Sequence, residues 1–123
     1  MPQEQEWFFI QKAEEYIRLS NQGELQVIFA MFEESAIYVS SQVGKFEGKQ
    51  EISNMMRSFF HQYESAVWEV PQYKFSPPNL VSFDFVMRAF DSDSQCEVRR
   101  EGTEKIAFSS RGLIQSIRVR VSS

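Results

Sequence analysis

Cysteine and histidine are almost missing from this 123-residue chain, which has one of each. A lone Cys96 excludes an internal disulfide and any CxxC or zinc cluster. A lone His61 gives a Ser-His-Asp triad a single candidate and nearly excludes histidine-based metal sites. No apolar run approaches the roughly 20 residues that span a bilayer, and no membrane partner is expected. The first residues, Met1-Pro2-Gln3-Glu4-Gln5-Glu6, are acidic and lack the basic segment of a secretory signal, which points to the cytoplasm. Nor is there an excess of one charge. The net charge of −4 arises from interspersed signs. The nearest approach to a basic stripe, Arg99-Arg100 with Arg111, Arg118 and Arg120, is interrupted by acidic neighbours, so no nucleic-acid partner is expected. Repeats, low-complexity tracts and linkers are absent too. Residues 1–123 read as one domain, long enough to bury a core without staples.

What the chain does have is phenylalanine. Twelve Phe in a chain that is 42% apolar and 24% charged suit a wide apolar interior or an apolar interface, because Phe brings large buried area and no polar handle. The spacing of apolar residues changes once, near the middle. Phe9, Ala13, Tyr16 and Ile17 recur at helical spacing from Trp7 to Ser20, and Asn21-Gln22-Gly23 stops that helix. Leu25, Ile28, Phe29 and Phe32 predict a second short helix, and 36–40 reads as a short β run. Gly44 and Gly48 bracket a predicted loop. A third helix is predicted over 49–63, with Ile52, Met55, Met56, Phe59 and Tyr63 as its apolar stripe.

The second half is strand-like. A strand is predicted over 67–75, stopped by Ser76-Pro77-Pro78. The segment 80–90 alternates Val81, Phe83, Phe85 and Met87 against Ser82, Asp84 and Arg88. Asp91-Ser92-Asp93-Ser94 is turn chemistry, and strands over 95–108 and 113–121 complete a sheet. Helices segregated from a run of antiparallel strands predict an α+β domain: three N-terminal helices packed on a curved, mostly antiparallel sheet, with a cone-shaped internal pocket.

Strand 95–108 carries the most information. Its odd positions, Glu97 to Lys105, are polar and mark the solvent face. Its even positions are apolar except for Arg100, Gly102 and Glu104. If the preceding turn closes as a hairpin, Phe85 lies near Arg100 and Val81 near Glu104, on the side the Phe residues line. Buried charges are costly unless paired or solvated. Arg100 and Glu104 are roughly 13 Å apart along a strand, too far to pair with each other. Either the strand twists at its edge and both reach solvent, or each answers to another partner, a water-filled pocket or a ligand. Gly102 between them reads as a bulge or kink. Tyr16 is either a core aromatic with its hydroxyl at the surface or a pocket group. His61 falls on the solvent side of the third helix, near its C-terminal end. Cys96 reads as a small core residue. Trp68 and Tyr73 line the pocket or pack outside it.

The order of elements resembles a known family. The segments Tyr16-Ile17-Arg18-Leu19-Ser20-Asn21-Gln22-Gly23-Glu24-Leu25 and Met31-Phe32-Glu33-Glu34-Ser35-Ala36-Ile37-Tyr38, then Gly48 and Ile52, look like the SnoaL-like proteins. The stretch from Ile106 to Ile117 is similar to that family's last hairpin. The resemblance runs from about Phe8 to Val121. It implies the nuclear transport factor 2-like (cystatin-like) fold shared with polyketide cyclases and ketosteroid isomerases, and it is far more specific for fold than for function. Set beside the ketosteroid isomerases, Tyr16 matches the oxyanion-hole tyrosine and Glu104 the protonated second donor. Ser40 stands where the aspartate base belongs. A serine cannot take that proton near neutral pH without help, so a water or His61 would have to. The resemblance thus implies catalytic positions at Tyr16, Glu104 and Ser40. The ligand-binding candidates are Tyr38, Phe59, Phe83, Phe85 and Arg100, the last for an anionic group. The expected partner is a hydrophobic carbonyl compound, open-chain or cyclic, turned over by an isomerase, cyclase or dehydratase or simply carried, with no metal or organic cofactor implied. A homodimer through the outer sheet face, at Val86 and Phe90, is also expected, and a non-catalytic dimeric assembly module using that face is the remaining alternative.

Overall fold

A computed structural model of the chain describes residues 2–122. Met1 of the acidic leader and Ser123 of the expected domain lie outside the described residues. The elements in order are α1 (Pro2–Gln22), α2 (Leu25–Phe29), β1 (Phe32–Ser40), β2 (Gly44–Glu47), α3 (Lys49–Gln62), β3 (Tyr63–Glu69), β4 (Tyr73–Ser76), β5 (Leu80–Asp91), β6 (Cys96–Phe108) and β7 (Ile114–Val121). Seven strands form one mixed, curved sheet in the order β2-β1-β7-β6-β5-β3, with β4 also on β5. β1 runs parallel to β7, and every other pairing is antiparallel. The chain is an α+β domain with an open sheet. Among the described residues no helix is long and apolar enough to cross a membrane.

The alternation on β5 does what its pattern implies. Val81, Phe83, Phe85, Met87 and Ala89 are buried together with Ile106 and Phe108 of β6 and Ile114 and Ile117 of β7. Phe9, Ala13, Tyr16 and Ile17 of α1 close over this inner face. Asn21, at the end of α1, fixes the helix to β3: its amide donates to the Trp68 carbonyl (3.0 Å) and accepts from the Trp68 N–H (2.8 Å).

The structure corrects the sequence reading in several places. Phe32 opens β1 rather than ending a second helix, because the chain turns at Ala30 and Met31, and the Ile114 N–H then donates to the Met31 carbonyl (2.7 Å). Residues 44–47 form β2, paired with β1 from Ile37–Glu47 to Ser40–Gly44, where a loop was expected. The strand expected over 67–75 divides into β3 and β4 around Pro71, which lacks the N–H a continuous ladder needs. The hairpin register also differs. Phe85 faces Gly102, Phe83 faces Glu104 and Met87 faces Arg100, because the turn spans 92–95. This is a two-residue slip from the expected pairing, and a slip of two keeps every side chain on its expected face.

Gly102 is not a bulge, since the β5–β6 ladder runs through it unbroken. A Cβ there would run into the Phe85 ring and the Arg120 carbonyl, so glycine makes room for Phe85 to cross the strand. Cys96 is exposed, not core. It is the first residue of β6, beside the turn, where nothing covers the sheet. His61 is exposed, as expected.

Candidate functional site

Between α1, α3 and the inner sheet face lies a cavity of about 80 Å³, mostly apolar, with Tyr16, Tyr38, Ser40, Phe59, Phe85, Arg100 and Glu104 among its lining residues. Seven of the eight residues singled out from sequence therefore meet at one place. The eighth, Phe83, is buried on the same sheet face but does not line the cavity. Its ring packs against Tyr73, centroids 5.0 Å apart, and Tyr73 lies off the cavity too. Trp68, left open by the sequence, lines it beside Phe59.

β6 is not an edge strand, since β5 and β7 flank it. Its twist therefore cannot carry Glu104 to solvent, and that residue is 4% exposed. The carboxyl oxygen Oε2 is buried with no hydrogen-bond partner. Buried polar atoms are rarely left so, and each exception calls for an explanation. Burial alone pushes the Glu104 carboxyl up to about 8. At pH 7 the acid form then predominates by roughly ten to one. Arg100 does not neutralise it: among the described residues that guanidinium has no carboxylate partner, and its Nη2 donates to the Tyr63 hydroxyl at 2.9 Å.

Two tyrosine hydroxyls share this enclosure. Burial, then the nearby Glu104 carboxyl, pushes both Tyr16 and Tyr38 well above the ordinary phenol range. Each therefore stays protonated and able to donate. Tyr16 is held on α1 one turn before Ser20, whose hydroxyl donates back to the Tyr16 carbonyl at 2.8 Å. Tyr38 is on β1, two residues before Ser40. Ser40 ends β1, and its Oγ accepts the Gln42 N–H at 3.1 Å, a local turn contact that caps the strand. Nothing basic among the lining residues stands by to take its proton.

Sequence reasoning missed Met87, Phe60 and Val119, which share the apolar wall with Ile17, Met55, Met56, Val43 and Val121. Met87 was legible from the β5 alternation. Phe60 follows Phe59 on α3 and lies beside the apolar stripe rather than on it. Val119 depended on the register of β7, opposite Glu104 on one side and Ser40 on the other.

The Glu104 carboxyl has consequences for stability. Its folded-state value is above the unfolded one, so the folded chain holds the proton more tightly. Its contribution is fully present below about pH 4.5 and is lost as pH rises towards 8, at ~1.4 kcal/mol per pH unit. Glu104→Gln carries no charge to bury. Urea unfolding at about pH 5 and about pH 9 should show the variant gaining on the parent by a few kcal/mol at the higher pH. Parallel pH profiles would mean that Glu104 ionises without cost.

No protein-family model matches the chain, and no curated protein matches it by sequence. Solved structures do match it. SalBIII, described as an epoxide hydrolase/cyclase-like enzyme with a role in pyran ring formation in the polyether salinomycin, superposes with a TM-score of 0.84 at 18% identity, over 93% of this chain and 90% of that one. A Catenulispora acidiphila DSM 44928 protein with a ketosteroid isomerase-like fold, bound to trimethylamine, gives 0.78 at 11% identity, over 88% and 82%. An NTF2-like protein of unknown function from Exiguobacterium sp. 255-15 gives 0.77 at 10% identity, over 94% and 98%. Identities this low speak to fold and leave the chemistry to the cavity. Together the topology and these likenesses establish that the chain has the nuclear transport factor 2-like fold, the one shared by ketosteroid isomerase-like and SnoaL-like proteins.

Proposed function

We propose that the helices and curved sheet close as a cone around the cavity to bind a hydrophobic carbonyl compound. In this reading the oxygen of the compound receives hydrogen bonds from neutral Glu104 and from Tyr16. The observation that carries it is the buried, unpartnered Oε2 of Glu104. A ligand oxygen supplies the missing partner once the carboxyl turns its enclosed oxygen towards the cavity, and a carboxyl kept neutral by its apolar site is a donor there. Tyr38 is a second phenol within the same enclosure.

The chemistry that suits this arrangement is proton transfer through one carboxyl, because among the described residues Glu104 is the sole carboxyl lining the cavity. A two-residue mechanism with a separate base is not supported, since Ser40 has no group beside it to receive a proton and His61 is exposed. In a cyclase- or isomerase-type step, protonated Glu104 gives its proton to the substrate oxygen as the carbon framework rearranges, then recovers one from the substrate. The likeness to SalBIII, described as cyclase-like with a role in pyran ring formation, favours the cyclase version. Without turnover, the same contacts make a carrier.

Acetophenone is a suitable probe for both versions. Its carbonyl stretch should move to lower frequency on binding, as it does for any strongly hydrogen-bonded ketone. Tyr16→Phe and Glu104→Leu should each weaken binding by about tenfold, one lost hydrogen bond's worth, and should shrink that shift. Unchanged affinity and frequency in both variants would rule the reading out.

A homodimer through the outer sheet face is the second proposal, favoured by how charge is sorted there. One row across the sheet reads Lys45, Val39, Arg118, Lys105, Ser82 and Lys74 from β2 to β4. At the other end Val86 lies between Glu69 and Glu101, and Phe90 between Glu64 and Glu97, while Arg88 and Arg99 in the row between them pair with Glu69 and Glu101 and leave Glu64 and Glu97 as the acidic surplus. A twofold axis between two such faces sets each basic row towards Glu64 and Glu97 of the other copy. Sedimentation equilibrium should then give a dimer at low salt that weakens at half-molar salt, as screened charge pairs do. A monomer at both would exclude this face as an interface.

A further inference from the structure

Among the described residues four titratable side chains line the cavity, and they are unequal. Tyr16, Tyr38 and Glu104 are held in their neutral forms by burial. Arg100 is always charged. A cavity of this kind has one fixed positive charge and no protein anion to balance it.

Arg100 is also positioned. Its guanidinium lies over the Tyr63 ring, 4.8 Å from the centroid, and donates to the hydroxyl of the same residue. Tyr63 in turn packs on Phe59, at 4.8 Å between centroids. Stacking and one hydrogen bond fix the plane of the guanidinium while using one of its five N–H donors. Among the described residues the remainder have no carboxylate to meet. A half-buried cation so held is poorly hydrated, and an anion reaching it gains a charge-assisted, two-pronged contact.

Arg100 and Glu104 are on the same face of β6, four residues and roughly 13 Å apart along the strand. Arg100 is half-buried and Glu104 fully so. The two therefore define a direction, with the anion towards solvent and the neutral acceptor deep. The volume of about 80 Å³ is roughly half that of a dry cavity that holds benzene, so it takes the ketone end of a compact ligand and leaves the carboxylate end towards solvent.

We infer that the ligand of this cavity is an anionic carbonyl compound, a compact keto acid, with its carboxylate on Arg100 and its ketone oxygen towards Glu104 and Tyr16. The ketone half rests on the reading proposed above, whereas the carboxylate half rests on Arg100 and Tyr63 alone.

Two probes of one shape separate these halves: para-acetylbenzoate and para-methylacetophenone, in which a methyl group replaces the carboxylate. Calorimetric titration near pH 6.5 should show the acid binding at least tenfold more tightly to the parent chain. Arg100→Met should remove that preference while leaving the neutral ketone within about twofold of its parent value. Tyr63→Phe, which keeps the charge and the stack but not the hydrogen bond, should cost the acid a smaller factor, about two- to fivefold. It also guards against a variant at position 100 that fails to fold. Equal binding of the two probes to the parent, or of neither, overturns the inference, as does an Arg100→Met variant that weakens both alike. If Glu104→Leu leaves both affinities intact while Arg100→Met still removes the preference, the carboxylate contact stands and the ketone reading fails. If Glu104→Leu weakens both and the parent shows no preference, the reverse holds.

Discussion

β5 and β6 pair without interruption from Leu80–Ala107 to Asp91–Cys96, and the rest of the molecule is arranged around that ladder. Its length fixes which residues of both strands face inward, and those inward residues supply most of the buried aromatic and aliphatic surface of the sheet. The helices then have one apolar face to cover. α1 lays Phe9, Ala13, Tyr16 and Ile17 upon it, and α3 contributes Ile52 and Met56. The same ladder sets Gly102 opposite Phe85, so that a ring crosses where a side chain on β6 would block it. The cavity is what remains between a curved sheet and helices that do not fill it.

Within that cavity one group breaks the pattern. A carboxyl at an inward position of a central strand is a local inconsistency, since most sequences place an aliphatic residue there. Removing an ionised carboxylate from water costs several kcal/mol unless a partner offsets it. Here the solution is protonation. A neutral carboxyl is cheaper to bury, and it turns an acceptor into a donor. The tyrosines at 16 and 38 stay protonated for the same reason, and in the proposed reading the enclosure offers hydrogen bonds to an incoming oxygen while Arg100 offers charge nearer the solvent.

Much of this was legible in the sequence because strand periodicity is unforgiving. Once 95–108 is read as a strand, Arg100, Gly102 and Glu104 fall on one side of it whatever the hairpin register, which is why an expectation wrong by two residues still put Glu104 among the Phe side chains. Helix spacing likewise put Tyr16 on the inner face of α1. What sequence could not give was pairing between distant segments. β2 reads as a loop because Gly44-Lys45-Phe46-Glu47 has no strand length of its own and forms on the edge β1 provides. Phe32 fits a helical stripe locally, and only its pairing with Ile114 claims it for the sheet. Cys96 sits on the apolar side by alternation, but alternation does not say where the covering layer ends. Phe83 shows the same limit: facing inward is not the same as lining the space.

The measurement that tests this account most directly is a site-resolved NMR titration of the Glu104 side-chain carboxyl, in protein labelled at glutamate and assigned by Glu104→Gln. The account predicts a carboxyl that holds its proton through neutral pH and titrates with a midpoint near 8. A midpoint near the ordinary value of 4.5 would mean that Glu104 is solvated or paired in solution, and the donor role built on its neutrality would fail.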